Sequence, residues 1–319
     1  KTVKVHHGIE DFAAKKLNTI LTIGTFDGVH IGHKKIIERL NELKKAGQAE
    51  SAILTFYPHP RSVLRQDGEI KMLTTPEEKI TLLGQYKLDH LIIEPFTEAL
   101  SSMTASRFVE EILVKRLKAK KLVIGHDHRF GKNREGDFDK LVELGDLFCY
   151  AVEEIPSQEI ENIAVSSTKI RRALESGEID KANQYLGYPY LLSGEVIRGK
   201  GIGRTISFPT VNLKVHEDYK LIPKIGVYIV KTVIKKKCIY GLLNIGFRPT
   251  LNGTNKSVEV YLLGIDEELY GSHMQIELLH RLRDEVRFES IEELKDQISK
   301  DVEKARNWLK KTFKTEIQP

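Results

Sequence analysis

The sequence predicts two domains of different class: an α/β domain with a Rossmann-like parallel sheet, then a small antiparallel β-barrel. Three observations support this prediction. The chain has 319 residues, more than a single hydrophobic core usually holds. Short apolar runs alternate with amphipathic helical segments in the first half, as in a parallel sheet with helices on its faces. Beyond about residue 186, short β runs separated by turn residues take over.

The first domain, residues 1–186, begins with the buried strand TILTIGTF, the helix HKKIIERLNELKKAG and the strand ESAILTFYPHP. The scheme repeats in DHLIIEPF, the helical TASRFVEEILVKRLK and the strand AKKLVIGHD. Ligands of parallel sheets bind at the carboxyl ends of the strands. The motifs GTFDG, YPHP and GHDHRFG are therefore expected to meet at one edge of the sheet.

The second domain, residues 187–319, carries the β runs YLLSGEVI, GVYIVKTVI, CIYGLLNIG, SVEVYLLGI and HMQIELLHRLR. A closing helix is expected after Ser290, which forms a capping-box pattern with Glu293. Apolar residues recur along this helix at a spacing that favours packing against the barrel. They are Ile291, Leu294, Ile298, Val302, Ala305 and Leu309.

Composition argues against several classes of protein. No run of about 18 apolar residues is present, so no membrane span is expected, and the first residues lack the apolar segment of a secretory signal. Two distant cysteines fit no disulfide or metal framework and favour the cytoplasm. The basic run KTVIKKKC lacks interleaved aromatics, which favours a solvated hairpin tip over a nucleic-acid surface. The net charge of +5 suits polyanionic substrates, and nothing indicates an oligomeric state.

The stretch GTFDGVHIGH places two histidines at the start of the first long helix. Gly24 and Gly28 allow a tight turn, and the unpaired amides of the helix start can bind a phosphate. His30 and His33 lie on this first turn, where imidazole donors can stabilise growing phosphate charge. Alternatively, one of them packs the turn. A zinc site is disfavoured because two histidines supply only half of its ligands.

The segment VSSTKIRRAL gives a second signal. Ser166, Ser167 and Thr168 can cap a helix whose first turn also holds Lys169, Arg171 and Arg172. Cations are disfavoured at a helix start, so their clustering suggests an anionic ligand. A capped surface helix with solvated basic residues is the alternative.

The third signal is SGEVIRGKGIGRTISFPTVNL, whose glycine-rich loop could wrap phosphates with backbone amides. Thr210 and Asn212 are two apart on the following strand and offer neutral oxygens to a hard cation. An ordinary hairpin loop followed by a polar strand face is the alternative.

The histidine pair and the Ser/Thr–Lys–Arg turn resemble the nucleotidyltransferase superfamily, and HIGH also occurs in class I aminoacyl-tRNA synthetases. The segments GTFDGVHIGHKKII, LTFYPHP, VIGHDHRFGKNREGD and VSSTKIRRAL together resemble the adenylyltransferase module of bacterial riboflavin kinase/FAD synthetases. The resemblance implies that the phosphate of FMN attacks the α-phosphorus of ATP to give FAD and pyrophosphate. Alignment and Mg²⁺-assisted charge neutralisation would then carry the catalysis.

This resemblance also implies site residues. His30, His33 and Arg171 would contact the ATP phosphates. The other nucleotide-binding residues would be Gly24, Thr25, Phe26, Asp27, Gly28, His59, Ser167 and Thr168. The flavin-binding residues would be Gly125, Asp127, Phe130 and Gly131. One departure is His128, which stands where the family has Phe or Tyr.

The segments GRTISFPTVNL, GVYIV, NIGFRPTLNG, VEVYLL, LYG and LRDEVRF resemble the riboflavin kinase barrel. The resemblance implies that Thr210 and Asn212 hold Mg²⁺ with ATP, and that Glu259 takes the proton of the ribityl 5′-hydroxyl. The implied phosphate loop contains Gly199, Lys200, Gly201 and Gly203. The implied flavin-side residues are Arg283, Glu285 and Phe288.

Two departures from the riboflavin kinase pattern keep an alternative function open. Ser207 replaces a family glycine before FPT, and GIDEELYG lacks the Asp-Phe and Gly-Asp residues common after the catalytic glutamate. A side chain at a position that needs positive φ costs about 1 kcal/mol. An adenylyltransferase with an impaired kinase-like barrel is therefore the main alternative. A non-catalytic flavin-binding regulator and a tRNA-binding synthetase relative are the others.

Overall fold

A computed structural model describes residues 3–13, 17–45, 49–63, 70–126, 128–160, 163–198, 208–250, 253–265 and 268–313. The chain divides into two compact units, Lys1–Ser167 and Thr168–Pro319. Within the described ranges, no helix has both the length and the apolar character needed to cross a bilayer.

The first unit is built on a six-stranded sheet in which every neighbouring pair is parallel. The strand order is β1-β4-β3-β2-β5-β6, with β2 at the point where the chain changes direction across the sheet. The strands are β1 Lys4–His7, β2 Thr19–Ile23, β3 Glu50–Tyr57, β4 His90–Pro95, β5 Ala119–Gly125 and β6 Ala151–Ile155. This arrangement confirms the predicted parallel α/β sheet.

Helices connect these strands and cover their apolar side chains. They are α1 Ile9–Ala13, α2 Ile31–Lys45, α3 Pro60–Val63, α4 Pro76–Gly84, α5 Glu98–Ser101, α6 Ala105–Phe108 and α7 Phe138–Phe148. After α6 the chain continues as π-helical turns over Val109–Arg116, and a short 3₁₀ turn covers Lys132–Arg134. Strand β2 is buried at all five positions, as its unbroken apolar and threonine sequence predicts for a central strand.

The second unit contains a closed six-stranded barrel in the order β10-β13-β12-β11-β14-β9, all pairs antiparallel. Its strands are β9 Tyr190–Ile197, β10 Thr210–Lys214, β11 Gly226–Ile234, β12 Lys237–Thr250, β13 Gly253–Leu262 and β14 His273–Arg283. A two-stranded ribbon of β7 Glu159–Ile160 and β8 Ile163–Ala164 precedes this unit. The barrel confirms the second part of the predicted fold class.

The boundary between the compact units lies earlier than residue 186, where the sequence pattern changes. Two helices, α8 Ser167–Ser176 and α9 Ile179–Leu186, fall almost wholly in the second unit because they are bonded to the barrel. Asn183 shows this directly, since its side chain donates to the Leu278 carbonyl at 2.8 Å and accepts from the Tyr190 amide at 2.8 Å. The helical region thus precedes the barrel in sequence but packs with it.

The last helix, α10 Ile291–Phe313, packs on the barrel through its second half. Ala305 and Leu309 are buried against apolar residues of β11, β12 and β14, whereas Ile291 is 56% exposed. The expected continuous apolar stripe is therefore wrong at its start. Buried Asp301 holds this helix, since both of its oxygens accept from the Arg283 guanidinium at 2.7–3.1 Å.

The start of α10 carries part of the predicted capping box. The Glu293 amide donates to the Ser290 hydroxyl at 3.1 Å, as predicted. The Glu293 carboxylate accepts from the Glu289 amide at 3.1 Å, one residue before the position that a capping box requires. The hydroxyl half of the motif therefore forms, and the carboxylate half caps a neighbouring amide.

Candidate active sites

The loop 24–30 joins the carboxyl end of β2 to the amino end of α2. Its backbone is strongly bent, with positive φ at Phe26, Gly28 and Val29. The first amides of a helix lack intrahelical acceptors, and α2 begins directly after this loop. Three strand ends lie side by side at this edge, because β3 and β5 flank β2 in the sheet. The motifs GTFDG, YPHP and the start of GHDHRFG follow these three strands.

The two histidines of the loop and first helical turn lie together. The rings of His30 and His33 are stacked, with centroids 3.7 Å apart and planes at 20°. Phe26 covers the other side of the pair, with its ring centroid 4.6 Å from that of His33. Gly32 leaves room for the stack, since a Cβ there would lie 3.2 Å from the His30 ring. The HIGH spacing therefore builds a compact imidazole pair.

His33 is neutral in the free protein. Burial lowers its pKa well below the usual 6.5, and the neighbouring charges of His30 and Lys79 lower it further. Its buried Nδ1 has no hydrogen-bond partner among the described residues. A neutral imidazole carries one N–H donor, so His33 can donate to an anion without first gaining a proton.

Asp27, in the same loop as His30, holds a second segment of the chain, residues 73 and 74. Its buried carboxylate accepts from the backbone amides of Leu73 and Thr74 at 2.9–3.1 Å, and from the Thr74 hydroxyl at 3.3 Å. That hydroxyl in turn lies 3.2 Å from the donating Gly28 amide. The Asp27 carboxylate is thus engaged in fixing backbone, a role the sequence does not reveal.

Ser167 connects the second predicted motif to the histidine loop. Its hydroxyl donates to the Asp27 carbonyl at 2.9 Å, although the two residues are 140 positions apart in the sequence. Thr168 and Arg171 follow Ser167 on α8 and belong to the second compact unit. Their approach to an ATP phosphate remains a prediction.

Sequence reasoning missed Lys79. This lysine is 8% exposed, and its ammonium donates to the Thr25 carbonyl at 2.6 Å. A Thr75–Glu78 capping box with proline at the first position starts its helix, α4. Its spacing in the sequence could have indicated that it is buried. Lys79 precedes Leu82 and Leu83 by three and four residues, so it occupies the apolar face of α4.

Two other predicted parts of this site lie near the same sheet edge. His59 follows β3, is partly exposed, and its carbonyl starts α3 by accepting from the Ser62 amide at 2.9 Å. Gly125 is the last residue of β5. Asp127 lies outside the described residues.

The rest of the predicted flavin segment is closely packed. The Phe130 ring is 8% exposed and lies 6.0 Å from Phe108, while His128 stacks on its other side at 5.9 Å. Gly131 has φ +73, and a Cβ there would lie 2.9 Å from the Ala105 backbone. Phe130 is therefore a core residue, and His128 is the more exposed ring of this segment.

In the barrel, strand register brings the predicted kinase residues together. Asn212 on β10 pairs directly with Glu259 on β13, and Thr210 lies two residues earlier on the same face. On its other side Glu259 pairs with Asn244 of β12, a polar residue that sequence reasoning did not single out. Directly opposite residues of antiparallel strands share a face. Asn212, Glu259 and Asn244 thus form one row across three strands, and Thr210 lies on the same face beside it.

The remaining predicted kinase residues differ from one another in exposure and in their contacts. Glu285 is exposed, and its carboxylate lies against Gly246, where a Cβ would overlap with it. Phe288 is partly exposed. The Arg283 guanidinium is bonded to Asp301, so the structure gives it a role in holding α10. Gly199, Lys200, Gly201, Gly203 and Ser207 lie outside the described residues.

Comparison with known protein families matches the two halves separately. The FAD synthetase family model covers residues 13–169, and the riboflavin kinase family model covers residues 186–309. Each match falls on the half where the corresponding motifs occur.

Curated relatives match along almost the whole chain. The bifunctional riboflavin kinase/FMN adenylyltransferase of Listeria monocytogenes is 36% identical over 98% of this chain and 99% of its own length. Its counterpart from Escherichia coli K12 is 35% identical over 96% and 98%, and that of Haemophilus influenzae is 37% identical over 90% and 92%.

A solved structure supports the fold. The crystal structure of a Streptococcus pneumoniae protein, described as a macrolide-efflux protein, superposes with a TM-score of 0.86 at 27% identity. The superposition covers 97% of this chain and 100% of that one. Because the two family models match the two halves and the curated relatives match almost the whole chain, this chain belongs to the bifunctional riboflavin kinase/FMN adenylyltransferase family.

Proposed function

We propose that this protein converts riboflavin to FAD in two ATP-dependent steps. The barrel phosphorylates riboflavin to FMN, and the α/β unit transfers an adenylyl group from ATP to FMN with release of pyrophosphate. The observation that carries the proposal is the meeting of distant motifs at one loop, where Ser167 is bonded to the segment that bears the His30–His33 pair.

For adenylyl transfer, the phosphate of FMN attacks the α-phosphorus of ATP, so no nucleophile from the protein is needed. His30 and His33 bind the triphosphate together with the first amides of α2. Each imidazole donor strengthens as negative charge grows during the displacement. Because His33 is already neutral, its donor is available across the physiological pH range. The family resemblance assigns Thr168 and Arg171, next along α8, to phosphate binding as well.

For the kinase step, the ribityl 5′-hydroxyl attacks the γ-phosphorus of ATP, whose bond to the β–γ bridging oxygen breaks to release ADP. Glu259 is partly buried and accepts the hydroxyl proton as the bond to phosphorus forms. Its neighbours in the row, Asn212 and Asn244, flank it on the two adjacent strands. Glu285 and Phe288 supply contacts on the flavin side.

Mg²⁺ is the metal implied by both reactions, and the barrel offers a donor set that fits it. Thr210 and Asn212 present neutral oxygen atoms on one strand face beside the Glu259 carboxylate, and Mg²⁺ prefers oxygen ligands. When bound with ATP, the ion neutralises phosphate charge. Among the described residues, no group of three or more His, Cys, Asp or Glu is arranged to hold a metal.

Product analysis tests the proposal. The purified protein is incubated with Mg²⁺ and ATP, and with either riboflavin or FMN, and the flavins are separated by chromatography. We expect FMN and then FAD from riboflavin, and FAD from FMN. Formation of FAD from FMN without any FMN from riboflavin would favour the adenylyltransferase-only alternative. Absence of both products would contradict the proposal and favour a flavin-binding regulator.

A further inference from the structure

Lys79 is a buried cation that contacts the loop 24–30 and that the reaction scheme does not yet use. Its ammonium donates to the Thr25 carbonyl at 2.6 Å and lies 3.5 Å from the Thr55 hydroxyl. That hydroxyl also donates to the Thr25 carbonyl, at 3.1 Å. One carbonyl of the loop is therefore held by two donors from two other elements, α4 and β3.

The position of this carbonyl affects the histidines. Thr25 immediately precedes Phe26, whose backbone has φ +48 and whose ring packs on His33. A non-glycine residue with positive φ is unfavourable and persists only where its surroundings hold it. The two donors on the Thr25 carbonyl hold the peptide that enters this bend. The Phe26 ring, in turn, packs on the His33 imidazole and so helps to hold the stacked pair in place.

We propose that Lys79 is a positioning residue for adenylyl transfer: its ammonium holds the Thr25 carbonyl, which fixes the loop carrying His30 and His33, and it places a positive charge behind the bound triphosphate. This inference rests on the proposed adenylyltransferase function. It assigns a role to a residue that lies outside the HIGH motif by more than 40 positions.

The charges around Lys79 are consistent with this role. Burial lowers its pKa to about 8, while the nearby Asp27 carboxylate opposes that shift. Lys79 in turn helps to lower the pKa of His33. The ammonium is therefore present below pH 8 and lost above it, whereas His33 stays neutral throughout that range. An anionic substrate favours the charged form of Lys79, which ties ATP use to its protonation.

The chain supplies a matched control in Lys44. Its ammonium also donates to a backbone carbonyl, that of Lys87 at 2.7 Å, and it pairs with Asp89 at 3.0 Å. These contacts lie at the amino ends of β3 and β4, the edge of the sheet opposite the loop 24–30. Lys44→Met therefore removes a comparable structural lysine without touching the proposed site.

The experiment compares Lys79→Met, Lys79→Arg and Lys44→Met with wild type. Formation of FAD from FMN is measured at varied ATP between pH 6.5 and 9.5, with riboflavin phosphorylation and thermal unfolding measured on the same samples. We expect Lys79→Met to lower kcat/KM for ATP by about 10- to 100-fold, since small misplacements of catalytic groups cost such factors. Its kinase rate and Tm should not fall. Lys44→Met should lower Tm and leave FAD formation unchanged.

The pH profiles separate positioning from simple structural support. Wild-type kcat/KM for ATP should decline above about pH 8, the pKa of Lys79. The decline should be absent in Lys79→Arg, whose guanidinium stays charged, and this variant should exceed Lys79→Met in activity. If Lys79→Met fails to fold, the profile of Lys79→Arg decides the question.

Several results would overturn the inference. These are a wild-type kcat/KM in Lys79→Met, an unchanged alkaline decline in Lys79→Arg, or equal losses of activity in Lys79→Met and Lys44→Met. A wild-type protein that forms no FAD at any pH would instead overturn the proposed function itself.

Discussion

The two candidate sites are assembled in different ways. In the α/β unit, the loop 24–30 is held by side chains from several elements: Lys79 of α4, Thr55 of β3 and Ser167 of α8. In the barrel, Thr210, Asn212 and Glu259 lie on neighbouring strands and are brought together by register alone. The first site therefore depends on tertiary contacts between loops, and the second on the alternation of side chains along β-strands.

This difference has consequences for mutation. A strand-register site changes little when one neighbouring side chain is replaced, because backbone hydrogen bonds keep the register. A loop held by individual side chains can move when one of them is lost. Substitutions outside the reacting groups should therefore disturb the α/β site more than the barrel site. Substitutions in the two units, in order of decreasing expected effect, test this contrast.

The largest expected effect is the loss of the general base in the barrel. Glu259→Gln should lower the rate of FMN formation from riboflavin by about 10²- to 10⁴-fold, the usual contribution of general-base catalysis. FAD formation from supplied FMN should be unchanged, which serves as the internal control. Undiminished riboflavin phosphorylation would show that Glu259 does not accept the proton.

Loss of one histidine donor should come next. His33→Ala and His30→Ala should each lower FAD formation by about 10²- to 10³-fold, the cost of one oriented donor to a developing oxyanion. Riboflavin phosphorylation should continue at the wild-type rate. His7→Ala, which removes an exposed histidine of β1, is the matched control. Normal FAD formation in both loop variants would remove the histidines from the mechanism.

Arg283 should contribute to stability rather than to flavin affinity. Arg283→Met leaves the Asp301 carboxylate, 2% exposed, without its guanidinium partner. Breaking a buried ion pair costs about 3–5 kcal/mol of unfolding free energy. Urea unfolding should show this loss, with KM for riboflavin unchanged in the folded protein.

Lys300→Met is the control for this prediction on the same helix. Its ion pair with Asp296 is exposed, and exposed pairs contribute less than about 1 kcal/mol. A raised KM for riboflavin in Arg283→Met, without loss of stability, would instead favour the flavin contact that the family resemblance implies.

The smallest expected effect is a pH dependence of stability due to Lys79. The pKa of Lys79 is about 8 when folded and the ordinary 10.5 when unfolded, so the unfolded chain binds more protons between these values. Stability therefore rises with pH in this window, by about 1 kcal/mol between pH 7 and 9. Comparison of urea unfolding for wild type and Lys79→Met should show this rise in wild type only. Equal pH dependence in both proteins would contradict the assigned pKa.

The barrel site was largely predictable from sequence. The alternation of side chains in FPTVNL places Thr210 and Asn212 on one face, and the family resemblance supplies Glu259. Asn244 was missed because strand order and register decide which residue lies opposite Glu259. Neither property is encoded within a single strand.

The α/β site was predictable only in part. The glycines and histidines of GTFDGVHIGH are local in sequence, so their turn and their place after β2 could be inferred. Lys79, Thr55 and the engagement of the Asp27 carboxylate could not, since each depends on how α4, β3 and the segment 70–75 pack around the loop. Phe130 was named from its motif alone, and the sequence did not indicate that its ring lies in the core; its contact with the flavin stays a prediction.

The sequence by itself determined the two fold classes, their order and the motifs that bear the chemistry, because hydrophobic periodicity and local turn residues are properties of neighbouring positions. Tertiary structure alone decided that Ser167 is bonded to a loop 140 residues earlier, and that Lys79 lies buried beneath that loop. Contacts of this kind arise only when packing of the whole unit offsets the cost of burying a charge.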